Sequence, residues 1–154
     1  MIAGEVIADF MKQKRVAVVG VSRDPRDFSR ALFREFLQQG YDAVPVNPQA
    51  TEVEGKRCFA HVGEISPPVD SVLLMTPPSS TEQVVLECAA SGITRVWMHR
   101  GVGDGAVHPG AAALCREKGI RLVEGYCPFM FFQKPAFFHR LHRFFMKLAG
   151  SYPA

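Results

Sequence analysis

Short, almost unbroken apolar runs alternate with amphipathic stretches along this chain. The runs fall at residues 16–21, 41–46, 69–75, 94–98 and 120–124. Each is the length of a strand, and continuous apolar character is how strands read when both of their faces are covered. Between them the apolar residues return at helical spacing. Residues 2–11 carry them at 2, 3, 6, 7, 10 and 11, and residues 28–39 turn Ala31, Leu32, Phe33 and Phe36 to one side. Further helices are expected from Ser80 or Thr81 to Ala90 and over 107–118. Gly40, Gly92 and Gly119 follow as stop signals, because a helix commonly ends in a left-handed residue. Pro45 and Pro48 are expected to end the second strand, and 49–68 carries loop chemistry with a short strand at 57–59.

Strands that alternate with helices of ten to twelve residues predict an α/β fold. It is a Rossmann-like, doubly wound, five-stranded parallel sheet with helices on both faces, since such crossovers are right-handed. The 154 residues fit one domain spanning 1–154. A last amphipathic helix is expected at 137–149, with apolar residues at 137, 138, 141, 144, 145 and 148 and with His139, Arg140, His142, Arg143 and Lys147 opposite.

Composition narrows the class. Apolar content of 47% and charged content of 21% suit a soluble globular protein. A net charge of +3 is too small to call for nucleic acid, and none is expected. From Tyr126 onward there are four Lys or Arg and no Asp or Glu, together with seven of the twelve Phe. A basic amphipathic helix there suits docking on its own domain, a homodimer or a partner protein better than a membrane surface. Cys58, Cys88, Cys115 and Cys127 have no CxxC spacing, so neither zinc nor a disulfide framework is expected. Reduced thiols and the absence of a basic, apolar leader point to a cytoplasmic protein.

A ligand of a doubly wound sheet sits beyond the carboxyl ends of the strands. The segments expected there are 20–25, 45–48, 76–78, 99–103 and 126–128. Gly20 admits a close backbone approach, and Val21 and Ser22 continue the turn. Ser22 and Ser29 offer hydroxyls, while Arg23, Arg26 and Arg30 offer charge within reach of a phosphate. Asp24 and Asp27 are alternative partners for those arginines. The loop lacks GxGxxG, and the second strand ends in Pro45-Val46-Asn47-Pro48 without the acidic residue that a bare ribose favours. Two prolines framing Asn47 suit an adenosine whose ribose carries a phosphate.

The Gly20-Val21-Ser22 loop, Ser29, Pro45-Val46-Asn47-Pro48, Val69-Asp70, Trp97 and Gly101-Val102 resemble the small stand-alone coenzyme A-binding proteins. They also resemble the coenzyme A-binding domain of succinyl-CoA synthetase and of ADP-forming acyl-CoA synthetases. The likeness covers about residues 10–130. It implies coenzyme A or acyl-CoA as ligand, with the diphosphate on 20–25, including Pro25, and the adenosine framed by 45–48. Thr76-Pro77 and Arg100-Gly101-Val102 would line the pantetheine path. The family's stand-alone members often have Phe-Arg where this chain has Met75-Thr76-Pro77-Pro78, and Gln where it has His99. They also carry charged residues in place of 129–132.

No GxSxG elbow or paired carboxylate is evident, so the expectation is a binding module and no catalytic residue is assigned. His99, at a strand end, is a candidate ligand contact, while His61 and His108 are expected in solvent. Cys127 stands where it could meet the coenzyme A thiol, or else be buried and inert. An NADP-type oxidoreductase and a scaffold acting through the basic C-terminal helix remain as other readings.

Overall fold

A computed structural model describes residues 2–101 and 103–132. Helix α1 (Ala3–Lys12) precedes strand β1 (Arg15–Val19), helix α2 (Phe28–Gln38) and strand β2 (Asp42–Val46). A two-stranded hairpin follows, β3 (Glu52–Val53) with β4 (Lys56–Arg57). The chain continues through β5 (Ser71–Leu74), α3 (Pro78–Ala90), β6 (Arg95–Met98), α4 (Pro109–Glu117) and β7 (Arg121–Glu124). The main sheet is parallel in the order β2-β1-β5-β6-β7. The connection direction reverses between β1 and β5, and that reversal opens a crevice at their carboxyl ends.

The strands are apolar on successive residues because each packs against a helical layer on both sides. Ala17, Val19, Leu74, Val96 and Met98 join Val85 and Cys88 of α3 and Ala111 and Cys115 of α4. Val16, Val18, Leu73 and Trp97 join Ile7 and Phe10 of α1 and Leu32, Phe33 and Phe36 of α2. Alternation with period two thus sends each strand into two cores. Helix α1 lies over β6 and β7, where Asp9 takes Arg95 at 2.8 Å and Arg121 at 2.6 Å. Those two arginines hold the Asp9 carboxyl below the usual carboxylate range, Arg95's hydrogen bond being the larger cause.

Three boundaries differ from expectation for local reasons. Pro45 lies inside β2, whose position at the sheet edge tolerates it. Its carbonyl accepts from the Phe59 N–H at 3.1 Å, so its backbone faces away from β1 and no ladder bond needs the missing N–H. Helix α3 begins at Pro78 with Pro77 as its cap, ahead of Ser80 and Thr81, because proline at the first turn has no amide proton to satisfy. The stretch 52–57 is a hairpin whose two turn residues, Glu54 and Gly55, both have positive φ, as a type I′ turn requires.

Among the described residues, no helix is long and apolar enough to cross a membrane. The expected helix at 137–149 and Val102 lie outside the described residues.

Candidate functional site

The glycine turn and the 45–48 segment meet because β1 and β2 are neighbours in register. The Gly20 N–H donates to the Val46 carbonyl at 3.0 Å, and the Asn47 side-chain amide donates to the Val21 carbonyl at 2.8 Å. Asn47 Oδ1 accepts from the Gln49 N–H at 2.8 Å. The Asn47 amide nitrogen therefore ties the end of β2 to that of β1, while its oxygen shapes the turn that leaves β2. On the other side, β5 brings Met75 and Thr76 so close that a Cβ on Gly20 would stand 2.8 Å from the Met75 carbonyl oxygen. Gly20 also has φ +92°, which glycine alone adopts without strain. Replacing Asn47 by Ala should cost about 1–2 kcal/mol, since it strips a bond from each strand end. Urea unfolding of the variant should show a lower midpoint at unchanged slope.

Two clefts flank this junction and share Gly20, Thr76 and Pro77. The first, of about 330 Å³, is lined also by Ser22, Asp27, Phe28, Ser29, Met75, His99, Gly105 and Ala106. The second, of about 270 Å³, is lined by Val46, Asn47, Pro48, Ala60, His61, Val62, Ser80, Val84 and Glu87. Both lie at the carboxyl ends of the sheet strands, with Gly20, Thr76 and Pro77 between them. A larger hollow of about 480 Å³ lies at the opposite, amino ends of the strands. There Arg15 pairs with Asp42 and Asp70 with Arg95, while Arg15 Nε is buried without a hydrogen-bond partner.

The expected phosphate chemistry is rearranged. At the start of α2, Asp27 accepts from the Ser29 N–H at 2.8 Å and the Ser29 hydroxyl at 2.5 Å, and its carbonyl accepts from the Arg30 N–H at 3.0 Å. Ser29 in turn accepts from the Ser22 N–H at 2.9 Å. The Ser22 hydroxyl accepts from the Asp24 N–H, and no acceptor among the described residues takes its own proton. Arg30 is a brace rather than a free cation. Its guanidinium holds Glu54 at 2.6 Å and donates to the Ser22 and Arg23 carbonyls, each at 3.2 Å. Hydrogen bonding from Arg30, aided by Arg34, keeps the Glu54 carboxyl below the usual range. Arg26 pairs with Asp24, while Arg23 is exposed, lines neither cleft and has no ion pair among the described residues.

Other expected residues fall behind or beside the groove. Val21 and Pro45 are buried beneath it, and Pro25 is exposed with its carbonyl taken by Arg34. The proline wall thus reduces to Pro48, with Val46 and Asn47 beside it. Arg100 and Gly101 are exposed, and Arg100 Nε donates to the Gly103 carbonyl at 3.0 Å. The lack of an acidic residue at the end of β2 does not keep carboxylates out, because Glu87 enters the second cleft from α3. It meets His61 there at 3.4 Å. Those partners are 26 residues apart in sequence, so no local pattern announces them.

His99 closes β6 and lines the first cleft. It is 8% exposed, its ring stacks at 5.4 Å against Phe28, and its Nε2 is buried with no hydrogen-bond partner. Burial pushes its pKa below the ordinary histidine value, so the ring is neutral at neutral pH. The segment after it folds back through an Ala106 N–H bond to the His99 carbonyl at 2.8 Å. Gly105 makes that return possible, since a Cβ there would collide with the same carbonyl.

The four cysteines are buried and unpaired. Burial raises Cys127 to about 11 and Cys88 to about 12. A thiolate able to exchange with a ligand thiol is therefore scarce, and Cys127 belongs with the inert thiols. Among the described residues no cluster of His, Cys, Asp or Glu is placed to hold a metal ion.

A parallel sheet in this order, with clefts beside its reversal point, defines a Rossmann-like domain. The CoA binding domain family matches residues 14–133, and the chain belongs to that family. It is 27% identical over 123 residues to the protein YneT of Bacillus subtilis (strain 168), covering 80% of this chain and 88% of that one. It is 31% identical over 88 residues to acetate–CoA ligase [ADP-forming] II subunit alpha of Pyrococcus furiosus, covering 56% of this chain. The match spans only 19% of the ligase subunit's length. Among solved structures, a hypothetical protein from Pyrococcus horikoshii OT3 superposes with a TM-score of 0.74 at 26% identity. That match covers 82% of this chain and 87% of the other.

Proposed function

We propose that this protein binds coenzyme A or an acyl-CoA as a cytoplasmic binding module. The adenosine lies in the cleft beside Asn47 and Pro48, the diphosphate crosses Gly20 near Ser22 and Arg23, and the pantetheine arm runs past Thr76 and Pro77. The observation that carries this reading is the pair of clefts that share Gly20, Thr76 and Pro77 at the strand ends. Membership of the CoA binding domain family supports the same ligand. Four buried, unpaired thiols support a reducing compartment.

Ligand-dependent melting tests the reading. A ligand that binds only the folded state stabilises it by RT ln(1 + [L]/Kd), about 2.7 kcal/mol at a hundredfold excess over Kd. Coenzyme A should raise Tm, and 3′-dephospho-coenzyme A should do so less. No shift at millimolar coenzyme A would sink the proposal. Glu87 favours one competing reading, because a carboxylate in the second cleft suits ribose hydroxyls. A rise in Tm with NAD or NADP, and none with coenzyme A, would establish a dinucleotide-binding protein instead.

A further inference from the structure

We infer that Glu54, in the turn between β3 and β4, is a positioning residue for the ligand's diphosphate. It holds Arg30 and Arg34 and, through them, fixes the 22–25 loop. This rests on the coenzyme A reading above. Glu54 itself lines neither cleft, so it serves that ligand without touching it.

A single oxygen of Glu54, Oε1, accepts from Arg30 Nε at 3.0 Å, Arg30 Nη2 at 2.6 Å and Arg34 Nε at 2.8 Å. Other nitrogens of the same two guanidinium groups go to the loop. Arg30 Nη1 donates to the Ser22 and Arg23 carbonyls, each at 3.2 Å, and Arg34 Nη2 donates to the Pro25 carbonyl at 2.9 Å. The loop's carbonyls are thus held by two cations, and one carboxylate holds both cations. Arg30 and Arg34 are four apart on α2, a spacing at which like charges repel, so a shared anion is what lets them stand together. The Arg30 and Glu54 side chains are only 12% and 23% exposed, so their attraction is less screened than that of a surface pair.

The backbone at Glu54 gives a second, independent sign. It has φ +50° in a type I′ turn, a conformation that asparagine, aspartate or glycine takes more readily. Among the described residues no other non-glycine has a positive φ. A side chain kept there against the backbone's preference points to what it supplies, a carboxylate that reaches α2. The loop it braces leads from Gly20, which both clefts share, and Ser22 lines the first of them. Free carbonyl oxygens repel an anion. With the Ser22 and Arg23 carbonyls occupied by a guanidinium, the loop can receive a phosphate.

Glu54→Gln keeps the shape of the side chain and removes its charge. Affinities for coenzyme A and ADP, measured by calorimetry, should fall about tenfold, a typical loss for one charged hydrogen-bonded anchor. Adenosine, which carries no phosphate, should bind as it does to the wild type when titrated by NMR. A merely structural brace would leave the ratio of ADP to adenosine affinity unchanged. Glu54→Asp, which restores the charge on a shorter arm, should recover part of the loss. In the wild-type protein the Arg30 and Arg34 Nε–H resonances should stay in place on adding ADP, since neither guanidinium changes partner; this readout holds even if a variant folds poorly. Tighter binding of ADP to Glu54→Gln would mean that the carboxylate withholds Arg30 from the phosphate. That result, an unchanged ADP affinity, equal losses for ADP and adenosine, or displaced Nε–H resonances would each overturn the inference. Failure of the wild-type protein to bind coenzyme A at all would instead overturn the reading on which it rests.

Discussion

Gly20→Ala is expected to lower stability by about 3 kcal/mol and to spoil the ligand groove. Two penalties add. A non-glycine residue in a left-handed conformation costs roughly 1–2 kcal/mol, and Gly20 has φ +92°. An inserted methyl in a packed site costs about 1–3 kcal/mol more, and here it would stand 2.8 Å from the Met75 carbonyl oxygen. That oxygen belongs to the backbone just beyond β5, so it cannot swing aside as a side-chain tip would. Strand β5 would have to part from β1 where the two clefts meet. Gly40→Ala is the control. Gly40 has φ +85° with nothing within 4 Å of the added carbon, so its variant reports the backbone penalty alone. Denaturant unfolding of both should find Gly20→Ala the more damaging by at least about 1 kcal/mol. Equal losses would mean that the close approach of β5 carries no energetic weight.

Trp97→Ala should be the most damaging core substitution, at about 3–5 kcal/mol. Trp97 is fully buried in β6, with Phe10 edge-on at 5.2 Å and Phe131 at 5.7 Å. Its Nε1–H donates to the Tyr126 carbonyl at 2.9 Å, and the same carbonyl accepts from the Arg100 N–H at 3.2 Å. The indole, two residues before His99, therefore fills the core between α1 and the sheet and also ties down the exit of β7 at Tyr126. Trp97→Phe keeps most of the volume and loses the hydrogen bond, so about 1–2 kcal/mol is expected. Unfolding should be followed by circular dichroism, because Trp97 is the single tryptophan and its fluorescence leaves with it. A cost below about 1 kcal/mol for Trp97→Ala would contradict the packing described.

The layered fold was legible because its cause is local and repeated. Apolar runs such as Val16–Val19 and Val72–Leu74 are buried on both faces, and a strand flanked in that way has no polar side to show. Gly20 was legible as a turn for the same sort of reason, since it follows such a run and opens a polar loop. Pro45 misled because a proline in sequence reads as an ending, whereas an edge strand with an outward-facing amide position accepts one.

The commitments of the polar side chains were not legible. Arg30 reads as a phosphate ligand until the hairpin turn delivers Glu54, 24 residues away, to its guanidinium. Asn47 reads as a ligand contact until β1 brings the Val21 carbonyl within 2.8 Å. His61 reads as a solvated loop residue until Glu87 of α3 meets it in the second cleft. A hydrogen bond needs its partners about 3 Å apart, and sequence distance says nothing about that when the partners sit on different layers. The pattern of apolar residues was enough to set the sheet, its two helical layers and the edge where a ligand enters, because burial acts on every residue of a strand alike. Which polar groups at that edge are spent on holding the loops, and that His99 is left with an unmet nitrogen, followed from how the layers close over one another.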